Sequence, residues 1–264
     1  LAKYFDFVGG SEFNGREKKA EVIDYVLTAN MIDKDEAIMV GDRKHDVIGA
    51  HENDLPCIGV LYGYGTKEEL MACNTWIMEE ITVYSLDYYQ MSKEIKREIV
   101  HLLHVVWPSD DCNDAHNEEL TVQSFYIMKD NQVVSYGAVL RMETTIDNEK
   151  YQIGGLSCIA TLPNYRRQGL SSKIVQTATK WIEDNLDFGI FTCKRELEDF
   201  YACNGKWQVA NNVVLIANRD NNALSSNKLA VIVLIRLFSN KAQVNGQKIL
   251  NARIYLDLPQ GQFI

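Results

Sequence analysis

Tyr165-Arg166-Arg167-Gln168-Gly169-Leu170-Ser171-Ser172 is the stretch on which the fold turns. It follows a strand-like apolar run, Leu156-Ser157-Cys158-Ile159-Ala160-Thr161-Leu162, and precedes a helical pattern over 172–185. A strand, a tight basic loop containing glycine and then a helix start suit a phosphate group. The first N–H groups of a helix have no partners within it, and the helix dipole favours negative charge there. Arg166 and Arg167 add positive charge, and Gly169 admits close backbone approach. The stretch reads as a pyrophosphate cradle.

Downstream, 188–192 reads as a strand and 195–203 as a helix running into Phe200-Tyr201-Ala202-Cys203-Asn204-Gly205-Lys206-Trp207. Two long strands, 229–237 and 253–258, are expected to close the chain. Upstream, a strand is expected at 81–84 and a helix at 92–106, stopped by Trp107-Pro108. An acidic loop with Asp110, Asp111, Asp114, Glu118 and Glu119 follows. Runs of such charge are usually solvated, although this one has the sign to attract a cationic substrate. Residues 125–129 and 133–142 pattern as a hairpin turning at Asp130-Asn131.

The first eighty residues carry a different pattern. A short strand is expected at 4–8, then a helix at 16–28 with Ala20, Val22, Ile23, Val26 and Leu27 on its apolar side. A strand at 37–40, a helix at 46–52, a strand at 57–61 and a glycine-rich turn at 62–65 follow. That alternation predicts a parallel α/β sheet.

At 264 residues the chain accommodates two domains, and its 46% hydrophobic content lets each bury a core. A formal net charge of −9 argues against a general nucleic-acid binder and suits a cationic amine. Six cysteines without C-x-x-C pairing fit reduced thiols in a cytoplasmic protein. The most apolar run, 229–235, is too short to span a bilayer, so no membrane partner is expected. His101 and His104, with no ligand cluster beside them, read as a helix face and not as a zinc site. Residue 1 is Leu, so a start inside a longer gene product, or after a processing or disorder gap, is expected.

The loop resembles the acyl-CoA signature of the GCN5-related N-acetyltransferases, Arg/Gln-x-x-Gly-x-Gly/Ala, here Arg166-x-x-Gly169-x-Ser171. The segment 200–207 is similar to the same family's Phe-Tyr-x-x-x-Gly-x-aromatic element. The resemblance implies acetyl-CoA lying in a slot between two splayed strands. Backbone groups of Ile159 and Thr161 would pair with its pantetheine arm. Its pyrophosphate would rest on Arg166, Arg167, Gln168, Gly169, Leu170, Ser171 and Ser172. A small-molecule amine would attack the thioester directly in a ternary complex, with Tyr201 as acid for the departing thiolate. The base stays open between Glu143 and Asp257, acting through water, while Cys158 reads as a small core residue. Within the family the domain looks most like the aminoglycoside 2′-N-acetyltransferases, which puts Ser157 and Asp257 beside the substrate. Ser157 stands where that pattern has Glu, and Gln262 where it has an acid.

Residues 4–78 resemble the C-terminal part of haloacid-dehalogenase-like phosphatases of the phosphoglycolate phosphatase type. Lys19 matches their phosphate-neutralising lysine, and Asp42 and Asp46 match their Gly-Asp-x-x-x-Asp motif for Mg2+. Their nucleophile motif, Asp-x-Asp-x-Thr/Val, occurs nowhere in the chain. The expected fold class is α/β: a partial Rossmann-like parallel sheet over 1–79, then an α+β acetyltransferase fold with a splayed mixed central sheet over 80–264. The expected function is acetyl-CoA-dependent N-acetylation of a small amine, with an aminoglycoside-like substrate and a homodimer left open. The alternative is a phosphatase whose nucleophile lies outside these residues, with the second domain as an acyl-CoA sensor.

Overall fold

The computed structural model describes residues 5–12, 15–73, 75–78, 81–108 and 113–264. Tyr4, in the expected first strand, and Asp110, Asp111 and Cys112, in the acidic loop, lie outside the described residues. Two compact units make up the chain, Leu1–Glu80 and Ile81–Ile264.

In the first unit, α1 (Lys19–Asn30) ends where Met31 turns left-handed at φ 53° and its N–H reaches back to Leu27 and Thr28. Then come β1 (Met39–Gly41), α2 (Lys44–His51), β2 (Cys57–Val60), α3 (Lys67–Met71) and β3 (Trp76–Met78). The strands pair in parallel in the order β1-β2-β3. Ile23 and Leu27 are four residues apart on α1, so they share one face; with Val47, Ala50, Leu55, Cys57 and Leu70 they form the core. Over 5–8, the described part of the strand expected at 4–8, no strand is formed. Residues 5–10 have no regular structure, and Phe5, Phe7 and Val8 stay exposed with no strand to pair against.

The second unit begins with β4 (Tyr84–Asp87), three residues later than expected, and α4 (Lys93–Val106). The Ser92 hydroxyl caps α4 by accepting from the Ile95 N–H. Then follow β5 (Thr121–Lys129), β6 (Gln132–Ile146), β7 (Glu149–Thr161), α5 (Leu170–Asn185), β8 (Phe188–Cys193) and α6 (Glu198–Gly205). Short pieces complete it: β9 (Gln208–Val209), β10 (Val214–Ile216), β11 (Ile232–Leu237), α7 (Asn240–Val244), α8 (Gly246–Ile249) and β12 (Arg253–Tyr255). Both expected C-terminal strands are therefore shorter than their apolar runs. β12 joins β10 in a separate parallel pair.

The main sheet is mixed, in the order β4-β5-β6-β7-β8-β11-β9. Two-residue turns at Asp130-Asn131 and Asp147-Asn148, all four residues at positive φ, fold β5, β6 and β7 into a meander. α5 covers one face, since a Cβ at Gly137 of β6 would meet Ile174 at 2.6 Å. Tyr136, its neighbour, points to the opposite face, where it meets His116.

Candidate active site

The site grows from two departures of β7 from regular pairing. Across β6, Ser157 pairs with Ala138 and Ala160 with Tyr136, so Cys158 and Ile159 both stand opposite Gly137. That is a β-bulge, and Cys158 sits in it at φ 53°. On the other side, β7 and β8 pair in parallel only at Ile153 with Phe188 and Gly154 with Gly189. Beyond those two pairs the strands part, leaving a V between 155–161 and 190–193.

Backbone groups in the V are therefore left for other partners. Leu162 donates to Val134 on the β6 side, so strand alternation turns the Thr161 backbone toward the gap. Arg166 Nε reaches the Thr161 carbonyl at 3.3 Å. Ile159 lies two residues earlier, in the bulge. On the facing arm, the Thr192 N–H donates to the Ile264 carbonyl at 3.2 Å, and the Thr192 hydroxyl donates to the same oxygen. The Ile264 side chain lies where a Cβ on Gly155 would stand. Ile264 thus props the V.

The loop 166–169 leads straight into α5. Gly169 is its N-cap, at φ 76° with open space on the Cβ side, and no side chain caps the helix. The N–H groups of Leu170, Ser171 and Ser172 consequently point outward. Arg166, Arg167, Gln168 and Gly169 are exposed, whereas the Leu170 side chain is buried and offers only its backbone. Arg167 is also left-handed, at φ 62°. The Thr161 hydroxyl bridges Ser171 and Ser135, each at 2.7 Å, and so fastens the end of β7 to the start of α5. Thr161 thus carries a positioning role that its sequence context did not signal.

Tyr201, on α6, is 7% exposed and packs edge-on to Phe191 of β8 at 4.9 Å and to Phe200 at 5.1 Å. Burial, and secondarily the Cys193 sulfur, push its hydroxyl well above the ordinary tyrosine range. It holds its proton throughout the neutral range. The remainder of the 200–207 segment is packing. A Cβ on Gly205 would stand 2.3 Å from Trp207 Nε1, and that nitrogen donates to Thr179 on α5 at 3.0 Å.

The two expected substrate residues are not brought together by any contact. Ser157, beside the bulge, meets Cys158 at 3.4 Å, whereas Asp257 is exposed and pairs with Arg219 at 3.3 Å. Glu143 is held by Lys150 at 3.2 Å and Gln152 at 2.9 Å, in the hairpin part of the meander. A buried polar group on the β6 face was missed in sequence because its members are scattered. His116 Nε2 and Ser124 Oγ lie 2.7 and 2.8 Å from the Tyr136 hydroxyl, and the Tyr88 hydroxyl donates to Asp114. Burial holds His116 down at about 4, hence neutral, against a smaller opposing pull from Asp114.

The first unit gathers its three expected residues. Lys19 Nζ is 2.9 Å from Asp46 Oδ1, and Asp46 Oδ2 accepts from the N–H groups of Asp42 and Arg43 at 3.2 and 3.1 Å. Asp42 Oδ2 accepts from the Tyr64 N–H at 2.5 Å. Mg2+ favours six oxygen ligands, yet three of these four carboxylate oxygens are already engaged. Among the described residues no three Asp, Glu, His or Cys gather to hold an ion. The residues present therefore do not by themselves form a Mg2+ site.

Comparison with known proteins divides the chain in the same way. Residues 17–83 match a family model described as HAD-hydrolase-like, and residues 88–188 match the acetyltransferase (GNAT) domain. A 5′-nucleotidase of Pseudomonas aeruginosa is 41% identical over 71 residues, which are 26% of this chain and 32% of that protein. The crystal structure of a predicted phosphatase from Clostridium acetobutylicum is 46% identical, covering 30% of this chain and 38% of that one, at a TM-score of 0.29. A GNAT family N-acetyltransferase of Escherichia coli, YhbS, solved in complex with CoA, is 12% identical, covering 67% of this chain and 91% of that one, at a TM-score of 0.45. The chain spans about a third of the length of the curated relatives it matches. The chain thus holds one stretch similar to HAD-hydrolase-like proteins and, after it, one similar to the GNAT acetyltransferase domain.

Proposed function

We propose that the second unit is an acetyl-CoA-dependent N-acetyltransferase acting on a small amine. The observation that carries this assignment is the parting of β7 from β8 after Gly154 and Gly189, next to the uncapped start of α5. The GNAT match over 88–188 supports acyl transfer to nitrogen in general.

The residues present fit the acyl donor. The N–H groups of Leu170, Ser171 and Ser172, with Arg166 and Arg167 beside them, suit its pyrophosphate, and Gly169 leaves room for it. The backbone of Ile159 and Thr161 suits its pantetheine arm. Acetyl-CoA, when bound, supplies an activated acyl group as a thioester. Tyr201, kept protonated by burial, is our choice for the acid that meets the leaving sulfur. Asp257, tied to Arg219, and Ser157, in place of an acid, favour an amine less dependent on carboxylates than an aminoglycoside. The test is thiol release from acetyl-CoA across a panel of amines, aminoglycosides included. No release with any amine, together with no CoA binding by calorimetry, would overturn the assignment.

One observation favours a second activity. Lys19, Asp42 and Asp46 converge within the segment that matches the HAD-hydrolase-like model. We propose phosphate-ester hydrolysis for a protein that adds the missing nucleophile and further metal ligands to this unit. Mg2+-dependent phosphate release by the 264-residue chain alone would contradict that requirement. No described helix is long and apolar enough to cross a membrane.

A further inference from the structure

A second cleft in the acetyltransferase unit lies between α4 and the bulge of β7. Val100, Leu103 and Trp107 give it apolar walls, Cys158 lies at the bulge, and Asp114 contributes a carboxylate, around a space of about 100 Å3. Past Val100, His104 and Asp114, which line both, it continues into a wider mouth of about 280 Å3, where Lys96, Arg97 and His101 stand. None of these residues belongs to the pyrophosphate loop.

Asp114 is held on one side only. Its Oδ1 accepts from the Tyr88 hydroxyl and from the Ala115 N–H, the latter at 2.8 Å. Its Oδ2 takes no hydrogen bond from the described residues. Burial raises the Tyr88 hydroxyl well above the tyrosine range, so Tyr88 remains a donor and fixes the carboxylate's orientation. Asp114 is the sole carboxylate among the described residues lining cleft and mouth. A locked carboxylate with one open oxygen, facing apolar walls, matches one positive charge on an apolar body. Lys96 and Arg97 at the mouth would repel additional positive charges.

We propose that this cleft binds the acceptor, and that the acceptor is a monocationic amine carried on an apolar or aromatic body. Its ammonium group meets Asp114 Oδ2, and its body lies on Val100, Leu103 and Trp107. This rests on the acetyltransferase function proposed above, but amine binding is measurable without an acyl donor. Phenethylamine and kanamycin are titrated into the 264-residue chain by calorimetry, with CoA titrated separately. We expect phenethylamine to bind more tightly than kanamycin, and Asp114→Asn to weaken phenethylamine at least about 10-fold while CoA binding is unchanged. Val100→Trp, which leaves the Asp114 bonds in place and fills the cleft, is expected to weaken phenethylamine as much. It also decides the matter if Asp114→Asn does not fold. Absence of phenethylamine binding, tighter binding of kanamycin, or indifference of phenethylamine to Val100→Trp would overturn the proposal. Loss of CoA binding with phenethylamine still dependent on Asp114 would instead leave the cleft standing and remove acetyl transfer.

Discussion

The two units treat their polar site groups in opposite ways. In the first, Lys19, Asp42 and Asp46 are turned on one another and on nearby amides, leaving one carboxylate oxygen of four open. In the second, the N–H groups at the start of α5 and one oxygen of Asp114 are left outward or open, and the inner edges of the parted strands are only partly engaged, at Thr161 and Thr192. Exposed groups of this kind are met by water, which a ligand's own polar groups can replace. The contrast is consistent with the ligand-binding role proposed for the second unit. The first, within these residues, is closed upon itself.

The largest expected effect tests whether the second unit owes its stability to the polar group beneath the bulge. His116 titrates near 4 when folded and near 6.5 when unfolded, so between these values only the unfolded chain takes up the proton. Stability from the neutral ring is complete above about pH 6.5 and is lost as pH falls toward 4, on the order of 3 kcal/mol in all. Melting curves of wild type and His116→Gln across that range should converge on acidification. Parallel curves would show that His116 is not held neutral.

Next comes the proton donor. Tyr201→Phe should lower kcat about 100-fold while leaving CoA affinity within twofold. Because burial raises the Tyr201 hydroxyl, wild-type kcat should show no loss from its ionisation up to pH 10. An unchanged kcat in the thiol-release assay removes Tyr201 from the chemistry. A smaller effect is expected at the cradle. Gly169→Asp puts a side chain at positive φ and a negative charge at the helix start, and should weaken CoA binding about 30-fold by calorimetry. Equal affinity would mean that the pyrophosphate rests elsewhere. The smallest effect belongs to the closed unit. Lys19→Met should cost under about 1 kcal/mol, because Lys19 is half exposed, and should leave thiol release unchanged. Coupling between that substitution and acetyl transfer would break the contrast between the units.

Local chemistry was legible where it acts locally. Ser92 announces α4, Asp130-Asn131 announces the first hairpin turn, and the basic loop announces α5. Asp147-Asn148 carries the same turn signal, but charged Glu149 and Lys150 after it hid the first half of β7. The splay of the strands entered only through family resemblance, and nothing in the residues fixed where it would begin. The bulge was illegible because Cys158 adopts a positive φ that no side chain at that position advertises. Burial of scattered partners was equally hidden: Asp114 and Tyr88 are 26 residues apart, and His116 and Tyr136 are 20 apart. At the other end, 5–8 has strand-like composition without a neighbouring strand among the described residues to pair with. Composition alone does not make a strand.

The bond from Thr192 to Ile264 changes what the opening between β7 and β8 means for the folded chain. A strand margin with bare amides invites a stray peptide from another molecule, the first step toward clumping. Here a later stretch of the same chain, at Ile264, engages one such amide, so the crevice is guarded from within. Removing that stretch would therefore be felt first as a loss of solubility, before any loss of turnover.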